Sequence, residues 1–326
     1  MKSRDRPHFL FALLLLLLPA FCAAQTYPVK PVRVVVTFTA GGSADFTARV
    51  IGDKWSELWR QQVVVENRIG AGGNIGIEAV YRAPADGYTL VLISNNAAFN
   101  VALYPKLPFD LMRDFVPLGL ATSSPMALAV HPRVQVASLK EFTEMMQSRP
   151  GQVQYATCGV ATAHHFAMEL YKFRTKAFAV HIPYRGCAPA VVDTVGGQIE
   201  SVMTTLNTVL PHAKSGRLKV LGITSRNRSP SAPDLPTFSE SGIPALADYD
   251  VDIVYGFLAR TGTPREVLAR IESDLKTVLA MPDVRQRFAG AGLDMFEKSG
   301  DEMGAFLRAD VEKFRKVIEY AGIRPE

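Results

Sequence analysis

Short apolar runs rich in β-branched residues alternate with amphipathic helical patterns along most of this chain. Val32–Thr37 predicts a strand, and Asp45–Leu58 carries apolar residues at spacings of three and four, which predicts a helix. A strand at Val63–Val65, a helix at Ile75–Arg82 and a strand at Tyr88–Ile93 follow. This βαβαβ order indicates an α/β fold with a mostly parallel sheet and helices on both faces.

The alternation returns in a second stretch of similar size. Its clearest part is the strand Gln154–Thr157, the helix His164–Phe173 and the strand Val180–Ile182. The further predicted strands are Ala127–Val130, Ile199–Met203 and Val220–Thr224, and the further predicted helices are Leu139–Gln147, Val191–Val195, Glu266–Ala280, Pro282–Ala289 and Gly300–Ala321.

Two α/β units joined by extended segments, 117–126 and 250–259, predict two lobes with a cleft between them. We expect residues 25–121 to form the first part of lobe 1, residues 122–251 to form lobe 2, and residues 252–326 to return to lobe 1. Ligands of open α/β sheets bind at the carboxyl ends of strands. The loops that lead from strands into helices are therefore the places where a binding site is expected.

The first such loop, Phe38–Asp45, joins the first strand to the first helix. Its two glycines allow a ligand to approach the backbone closely, and the N–H groups of the first helical turn favour an anion such as a carboxylate. The alternative is an ordinary tight turn that is capped by Ser43 or Asp45. The predicted ligand-binding residues of this loop are Phe38, Ala40, Gly41, Gly42, Ser43 and Asp45.

The matching loop of the second unit runs from Thr157 to His165 and again leads from a strand into a helix. Its threonines and the backbone around Gly159 can bind the other side of an anion. His164 and His165 point about 100° apart on a helix, so they cannot share one metal ion, and capping or pocket-wall roles fit them better. The predicted ligand-binding residues outside the first loop are Thr157, Gly159, Thr162, Ala163, His164, Tyr184 and Asn207, with Ser94 and Asn95 at the end of a first-unit strand.

The first 24 residues have the pattern of a secretory signal peptide. Lys2, Arg4 and Arg6 precede the apolar run Phe9–Leu18, which is about half the length that spans a bilayer. The small residues that follow predict cleavage after Ala24. We therefore expect the mature chain to be exported to the periplasm. A lipoprotein signal with a lipidated Cys22 is the alternative, but such signals favour a small residue where this chain has Phe21.

Charge and cysteine content restrict the partners further. The 36 basic and 31 acidic residues are interspersed, without a basic stripe, so we expect no nucleic-acid partner. After export Cys158 and Cys187 remain. They can pair in an oxidising compartment, or they can be two small buried hydrophobic residues, and their spacing does not decide between these states.

A secreted enzyme that acts on a small acid is the main alternative function. Gly70–Gly76 follows a strand and precedes a helix, as a dinucleotide-binding loop does. Its glycine spacing is one residue longer than the GxGxxG fingerprint, and the next strand ends in Ser94 and Asn95 rather than in an acidic residue. A hydrolase is disfavoured because no GxSxG motif occurs. We expect no catalytic residues, no metal and no cofactor.

Several segments, in order along nearly the whole mature chain, resemble the Bug family of periplasmic solute-binding proteins, the receptors of tripartite tricarboxylate transporters. The resemblance implies a two-lobed Venus-flytrap fold and a small carboxylate ligand, held in the interlobe cleft by backbone amides and ordered water. It also implies membrane permease subunits as partners, and we expect the receptor to be a monomer. The matching segments are Tyr27–Arg33, Phe38–Asp45, Val63–Gly76, Asp86–Leu90, Ala102–Pro108, Pro183–Gly186, Leu210–His212 and Gly262–Pro264.

The second loop departs from the family pattern. Val160 and Ala161 stand where the family commonly has asparagine and glycine, and Ala163 and His164 replace two serines. The pocket should therefore be less polar and more crowded, which favours an acid that is smaller or more apolar than citrate. If His164 faces the ligand, binding should depend on pH between about 5 and 8; otherwise His164 is an exposed residue of the first helical turn.

Overall fold

The computed structural model describes residues 27–104, 106–160 and 162–324, so the predicted signal peptide and its cleavage position lie outside the described residues. Strands and helices alternate along the chain as the sequence predicts. The strands are β1 (Val32–Val36), β2 (Val63–Asn67), β3 (Thr89–Ser94), β4 (Phe115–Val130), β5 (Gln154–Thr157), β6 (Val180–Pro183), β7 (Ser201–Thr205), β8 (Lys219–Ile223), β9 (Asp252–Arg260) and β10 (Asp294–Ser299). The helices are α1 (Ser43–Trp59), α2 (Asn74–Tyr81), α3 (Asn96–Leu103), α4 (Leu139–Ser148), α5 (Ala163–Thr175), α6 (Cys187–Val195), α7 (Leu206–Lys214), α8 (Arg265–Ala280), α9 (Pro282–Gly290) and α10 (Gly300–Ala321).

The described strands form one mixed sheet in the order β2-β1-β3-β9-β4-β7-β5-β6, and β8 and β10 also pair with β4. Parallel pairing is confined to two sets of three strands. The first parallel set is β2-β1-β3, and the second parallel set is β7-β5-β6. The antiparallel strands β9 and β4 join the two sets.

Strand β4 belongs to both halves of the sheet. Its first part pairs with β9 and β10, and its last five residues pair with β7 and β8. Both β4 and β9 are almost fully buried, which explains their continuous apolar runs. The carboxyl ends of β1, β3, β5 and β7 all lead directly into the loops and helices that carry the predicted site residues.

A buried aromatic cluster ties helices from the two parallel sets together. Phe314 of the C-terminal helix α10 packs edge-on against Phe99 of α3, with ring centroids 5.4 Å apart, and against Phe166 of α5, at 4.4 Å. All three side chains are almost completely buried. The cluster therefore fixes the position of α5, whose first turn belongs to the second predicted loop.

The sequence predicts the strands and helices of the two parallel sets well and the other elements of the fold less well. The ends of the predicted strands and helices of both parallel sets lie close to the observed ends, and α10 begins and ends as predicted. Helices α3 and α7 and strand β10 were not predicted, β9 was expected only as an extended joining segment, and only the last four residues of β4 were predicted as a strand. The parallel pairing that the α/β pattern predicts holds within each set.

Candidate functional site

The loop between β1 and α1 is organised by the carboxylate of Asp45. Its Oδ2 accepts hydrogen bonds from the Gly41 N–H and from Arg49 Nε, each at 2.9 Å. Its Oδ1 accepts one from Asn67 Nδ2 at 2.9 Å, and the same amide donates to the carbonyl oxygen of Phe38 at 3.0 Å. Burial by itself raises the pKa of Asp45, but these hydrogen bonds outweigh it and hold the pKa below its usual range. Asp45 therefore shapes the loop, and Arg49 balances its charge.

Helix α1 presents its first amides without a side-chain cap. Its N-cap residue is Gly42, so neither Ser43 nor Asp45 is the cap, although the sequence left that alternative open. Ala40 and Gly41 are exposed at the tip of the loop, and Gly42 is half-buried. Uncapped N–H groups at a helix N terminus, next to an exposed glycine loop, are a favourable arrangement for an anion.

The second loop uses its two threonines to hold its own backbone. Thr157 Oγ1 lies 2.7 Å from His181 Nε2 and accepts a hydrogen bond from the Gly159 N–H at 3.2 Å. Thr162 Oγ1 donates to the Gly159 carbonyl at 2.8 Å and, as the N-cap of α5, accepts from the His165 N–H. The threonine hydroxyls therefore fix the loop that leads into the first turn of α5, where Ala163 is buried.

A disulfide links Cys158 in this loop to Cys187 at the start of α6, with the two Cα atoms 4.2 Å apart. It decides between the two states that the sequence left open. His164 Nε2 lies 3.9 Å from Cys187 Sγ. These three side chains are close enough together for a metal site, but the sulfurs are bonded to each other and are not available as thiolate ligands.

Neither His164 nor His165 is exposed. Burial lowers the pKa of His164 to about 3, so it stays neutral between pH 5 and 8 and the predicted pH-sensing role is wrong. His165 points away from it and stacks on the ring of His181, with centroids 4.0 Å apart. The expectation that the adjacent histidines diverge is confirmed, and His164 forms part of the wall behind the loop.

The helix N termini of the two parallel sets contact one another. Asn207, the second residue of α7, donates from Nδ2 to Oγ of Ser43, the first residue of α1, at 3.0 Å. Cys158 Sγ lies 3.5 Å from the hydroxyl of Thr204, at the end of β7, which places the α5 loop beside the start of α7. The Asn207 amide oxygen is buried without a hydrogen-bond partner. These contacts join the N terminus of α1 to that of α7, and the loop that precedes α5 to the end of β7; the N terminus of each helix is the positive end of its dipole.

Ser94 is the last residue of β3 and Asn95 follows it, but they have different environments. Ser94 Oγ accepts a hydrogen bond from the Asn96 N–H at 3.2 Å, at the start of α3. Asn95 Nδ2 donates to the Asp252 carbonyl and to Asp310 Oδ2, each at 3.0 Å. The structure therefore commits the Asn95 amide to β9 and α10, away from the loop of Gly42.

Tyr184 contacts the second loop mainly through its backbone. Its N–H donates to the Thr157 carbonyl at 3.2 Å, which extends the β5–β6 pairing into the loop. Its hydroxyl donates to Asp193 Oδ2 at 2.6 Å, and burial together with this carboxylate raises the pKa of Tyr184 to about 12. The hydroxyl is thus occupied within the segment that includes α6.

Sequence reasoning missed several residues that build this arrangement. Asn67 hydrogen-bonds to Asp45 of the first loop, and His181 hydrogen-bonds to Thr157 of the second loop. Asn96 is the first residue of α3, and Thr204, near the end of β7, contacts Cys158. The position of Asn67 and Thr204 at the carboxyl ends of strands was the available signal. The contacts that give them their roles join residues far apart in the chain.

Comparison with known proteins decides the family. Residues 47–323 match the model of the tripartite tricarboxylate transporter family receptor. The chain belongs to this family. The structure of the periplasmic binding protein BugD is similar to it, with 30% sequence identity and a TM-score of 0.81. The match covers 92% of this chain and all of that one.

Two similar structures contain dicarboxylates. A protein of R. palustris solved with adipate is 28% identical, with a TM-score of 0.84 and coverage of 92% of this chain and all of that one. MatC from Rhodopseudomonas palustris with bound malate is 27% identical, with a TM-score of 0.79. The match covers 90% of this chain and all of that one. Family membership confirms the predicted α/β binding-protein fold and a receptor rather than an enzyme. Among the described residues, no helix is long and apolar enough to cross a membrane.

Proposed function

We propose that this receptor captures one small carboxylate where the N termini of α1, α5 and α7 converge. The Ser43–Asn207 hydrogen bond carries the proposal, because it joins the first residue of α1 to the second residue of α7 and so holds these two helix N termini together. Backbone amides at three helix N termini suit a carboxylate better than a neutral ligand. The two dicarboxylate-bound relatives support the same ligand class.

Lobe closure around the acid is part of the proposal. We infer that residues 25–121 and 252–326 form lobe 1 and residues 122–251 form lobe 2, with β4 and β9 as the crossing strands. The ligand-contacting set is proposed as the backbone of 40–43, 159–160 and 162–164, with Ser94, Thr157 and Asn207 nearby. Asn95 and the Tyr184 hydroxyl are left out of direct contact because other groups occupy them.

The side chains around the second loop favour an acid with few polar groups between its carboxylates. The hydroxyls of Thr157 and Thr162 are already hydrogen-bonded within the loop, and His164 is neutral. A third carboxylate, as in citrate, would find no free hydroxyl on this side and would cost roughly 1–3 kcal/mol if left unpaired. We therefore propose a linear dicarboxylate or a monocarboxylate as the ligand.

A thermal-shift panel of mono-, di- and tricarboxylates, aromatic acids and amino acids tests the proposal. An acid at one hundred times its dissociation constant should add about 2.7 kcal/mol to the stability of the folded protein. We expect adipate-like dicarboxylates to raise the melting temperature more than citrate does. A neutral sugar is the control. A rise with the sugar and with none of the acids would contradict the carboxylate site, whereas a rise with citrate alone would contradict only the preference for fewer carboxylates.

We also propose that the chain is exported by its signal peptide and delivers the acid to membrane permease subunits as a monomer. Family membership supports a transporter partner. Mass spectrometry of the periplasmic protein should find Gln25 as the first residue, and light scattering should give the mass of one chain. An intact leader would contradict the proposed cleavage, and a dimer would contradict the proposed monomer.

A further inference from the structure

The disulfide lies directly behind the proposed carboxylate site. Cys158 follows β5, and Cys187 is the first residue of α6, which follows β6. Both cysteines are half-buried. The bond therefore connects the two strand-to-helix loops of the parallel β5–β6 pair, and one of these loops leads into the first turn of α5.

Few other contacts hold the second of these loops. β6 is a four-residue strand at the end of the sheet order, and it pairs with β5. Beyond it, the described backbone contacts to the α5 loop are Tyr184 N–H to the Thr157 carbonyl at 3.2 Å and Gly186 N–H to the Cys158 carbonyl at 3.1 Å. Gly186 has a φ of 122°, and a Cβ placed there would meet no atom within 4 Å. The covalent bond is therefore the strongest restraint on this junction.

The disulfide also supports the first turn of α5 through His164. The imidazole is buried, its Nε2 lies 3.9 Å from Cys187 Sγ, and its Nδ1 has no partner in the described structure. On the other side, Cys158 Sγ lies 3.5 Å from Thr204 Oγ1 next to α7. The disulfide thus contacts the second residue of α5 and a residue of β7 that lies two positions before α7.

We propose that the Cys158–Cys187 disulfide is a positioning element of the carboxylate site. It holds the α5 loop and the start of α7 in the arrangement that binds the acid, so reduction weakens capture. This inference rests on the proposed function. Reduction by a dithiol supplies two electrons and two protons: its thiolate attacks one sulfur and displaces the other cysteine, which takes up a proton, and the second thiol then displaces the cysteine held in the mixed disulfide as the dithiol closes to its own disulfide.

The test compares oxidised protein, protein reduced with dithiothreitol, and the double variant Cys158→Ser/Cys187→Ser. Hydrogen–deuterium exchange needs no carboxylate. We expect exchange of the segment 157–165 to rise about tenfold or more on reduction, while the first-lobe segment 38–45 stays unchanged. In calorimetry, the Kd for adipate should rise about tenfold in both the reduced protein and the double variant, because the site is no longer pre-organised.

Two controls make the outcome decisive. Dithiothreitol should have no effect on the double variant, and Val192→Ala, at an exposed position of α6, should keep the wild-type exchange and affinity. If the double variant does not fold, the reduced wild type provides the same comparison. Unchanged exchange at 157–165 together with unchanged adipate affinity would overturn the inference. If oxidised protein binds none of the acids of the thermal-shift panel, the proposed function is contradicted, and the exchange data still decide whether the disulfide holds the loop.

Discussion

Gly42 is the residue at which the anion-site proposal is most directly testable. It is the N-cap of α1, its φ of −83° is open to any residue, and a Cβ there would meet only the Thr39 carbonyl at 3.5 Å. Gly42→Val should therefore fold normally but block the approach of a carboxylate to the first-turn amides, and calorimetry should detect no binding of adipate. Gly290→Val, at an open position with nothing within 4 Å, is the matched control and should bind normally.

Asp45→Asn separates loop shape from ligand contact. The carboxylate accepts from Gly41, Arg49 and Asn67, so an amide in its place leaves at least one donor facing another donor. We expect weaker binding together with a loss of about 1–3 kcal/mol in unfolding free energy.

The outcome for Gly42→Val decides whether the anion binds at this loop. If that variant binds adipate normally, the carboxylate site lies elsewhere.

Single side chains were the hardest feature to predict from the sequence. The glycine loop and the two threonines were recognised because they follow strands directly. The roles of Asp45, Asn95 and His164 depend on Asn67, Asp310 and Cys187, and each of these pairs is separated by more than 20 residues. Only the folded chain brings such partners within hydrogen-bond distance.

At the scale of elements, helix α10 is the part of the C-terminal segment that locks the two parallel sets together. Phe314 contacts both Phe99 and Phe166 and is almost completely buried. Phe314→Ala should lower the unfolding free energy by about 3–5 kcal/mol, because it removes the ring and leaves a cavity. Lys316→Ala, exposed on the same helix, should change it by less than about 0.5 kcal/mol. Equal losses in chemical denaturation would contradict this role.

Local features explain why some elements were not predicted from the sequence. Helix α3 begins with Asn96, one residue after β3 ends, and has only eight residues. Strand β4 contains Pro117, Gly119 and Pro125, which normally end a strand. β4 nevertheless continues because it is paired on both sides, with bulges near two of these residues. Long helices such as α10 were predictable because their apolar period and Ser299 cap are local signals.

At the scale of the whole molecule, burial of titratable groups sets how stability depends on pH. Burial lowers the pKa of His164 and His181 to about 3 and that of His165 to about 4, and nearby Lys172 adds to the effect for the last two. The unfolded chain takes up protons at these sites below about pH 6.5, whereas the folded protein does not. These histidines therefore make stability fall as the pH decreases from about 6.5 to 4.

Asp252 acts in the opposite direction. Burial, with smaller effects from Asp250 and Asp294, raises its pKa to about 8, so the folded protein keeps a proton that the unfolded chain loses near pH 4. Asp252 thus makes stability fall as the pH rises from about 4 to 8, and above pH 6.5 the histidines no longer offset it. We expect a maximum near pH 6–7 and a decline of up to about 1.4 kcal/mol per pH unit towards pH 8. Urea unfolding of Asp252→Asn from pH 4 to 9 should show a much smaller decline above pH 6.5 and a steeper loss on the acid side, since an amide stays neutral throughout and no longer offsets the histidines. A decline of wild-type size in the variant would show that another group titrates there.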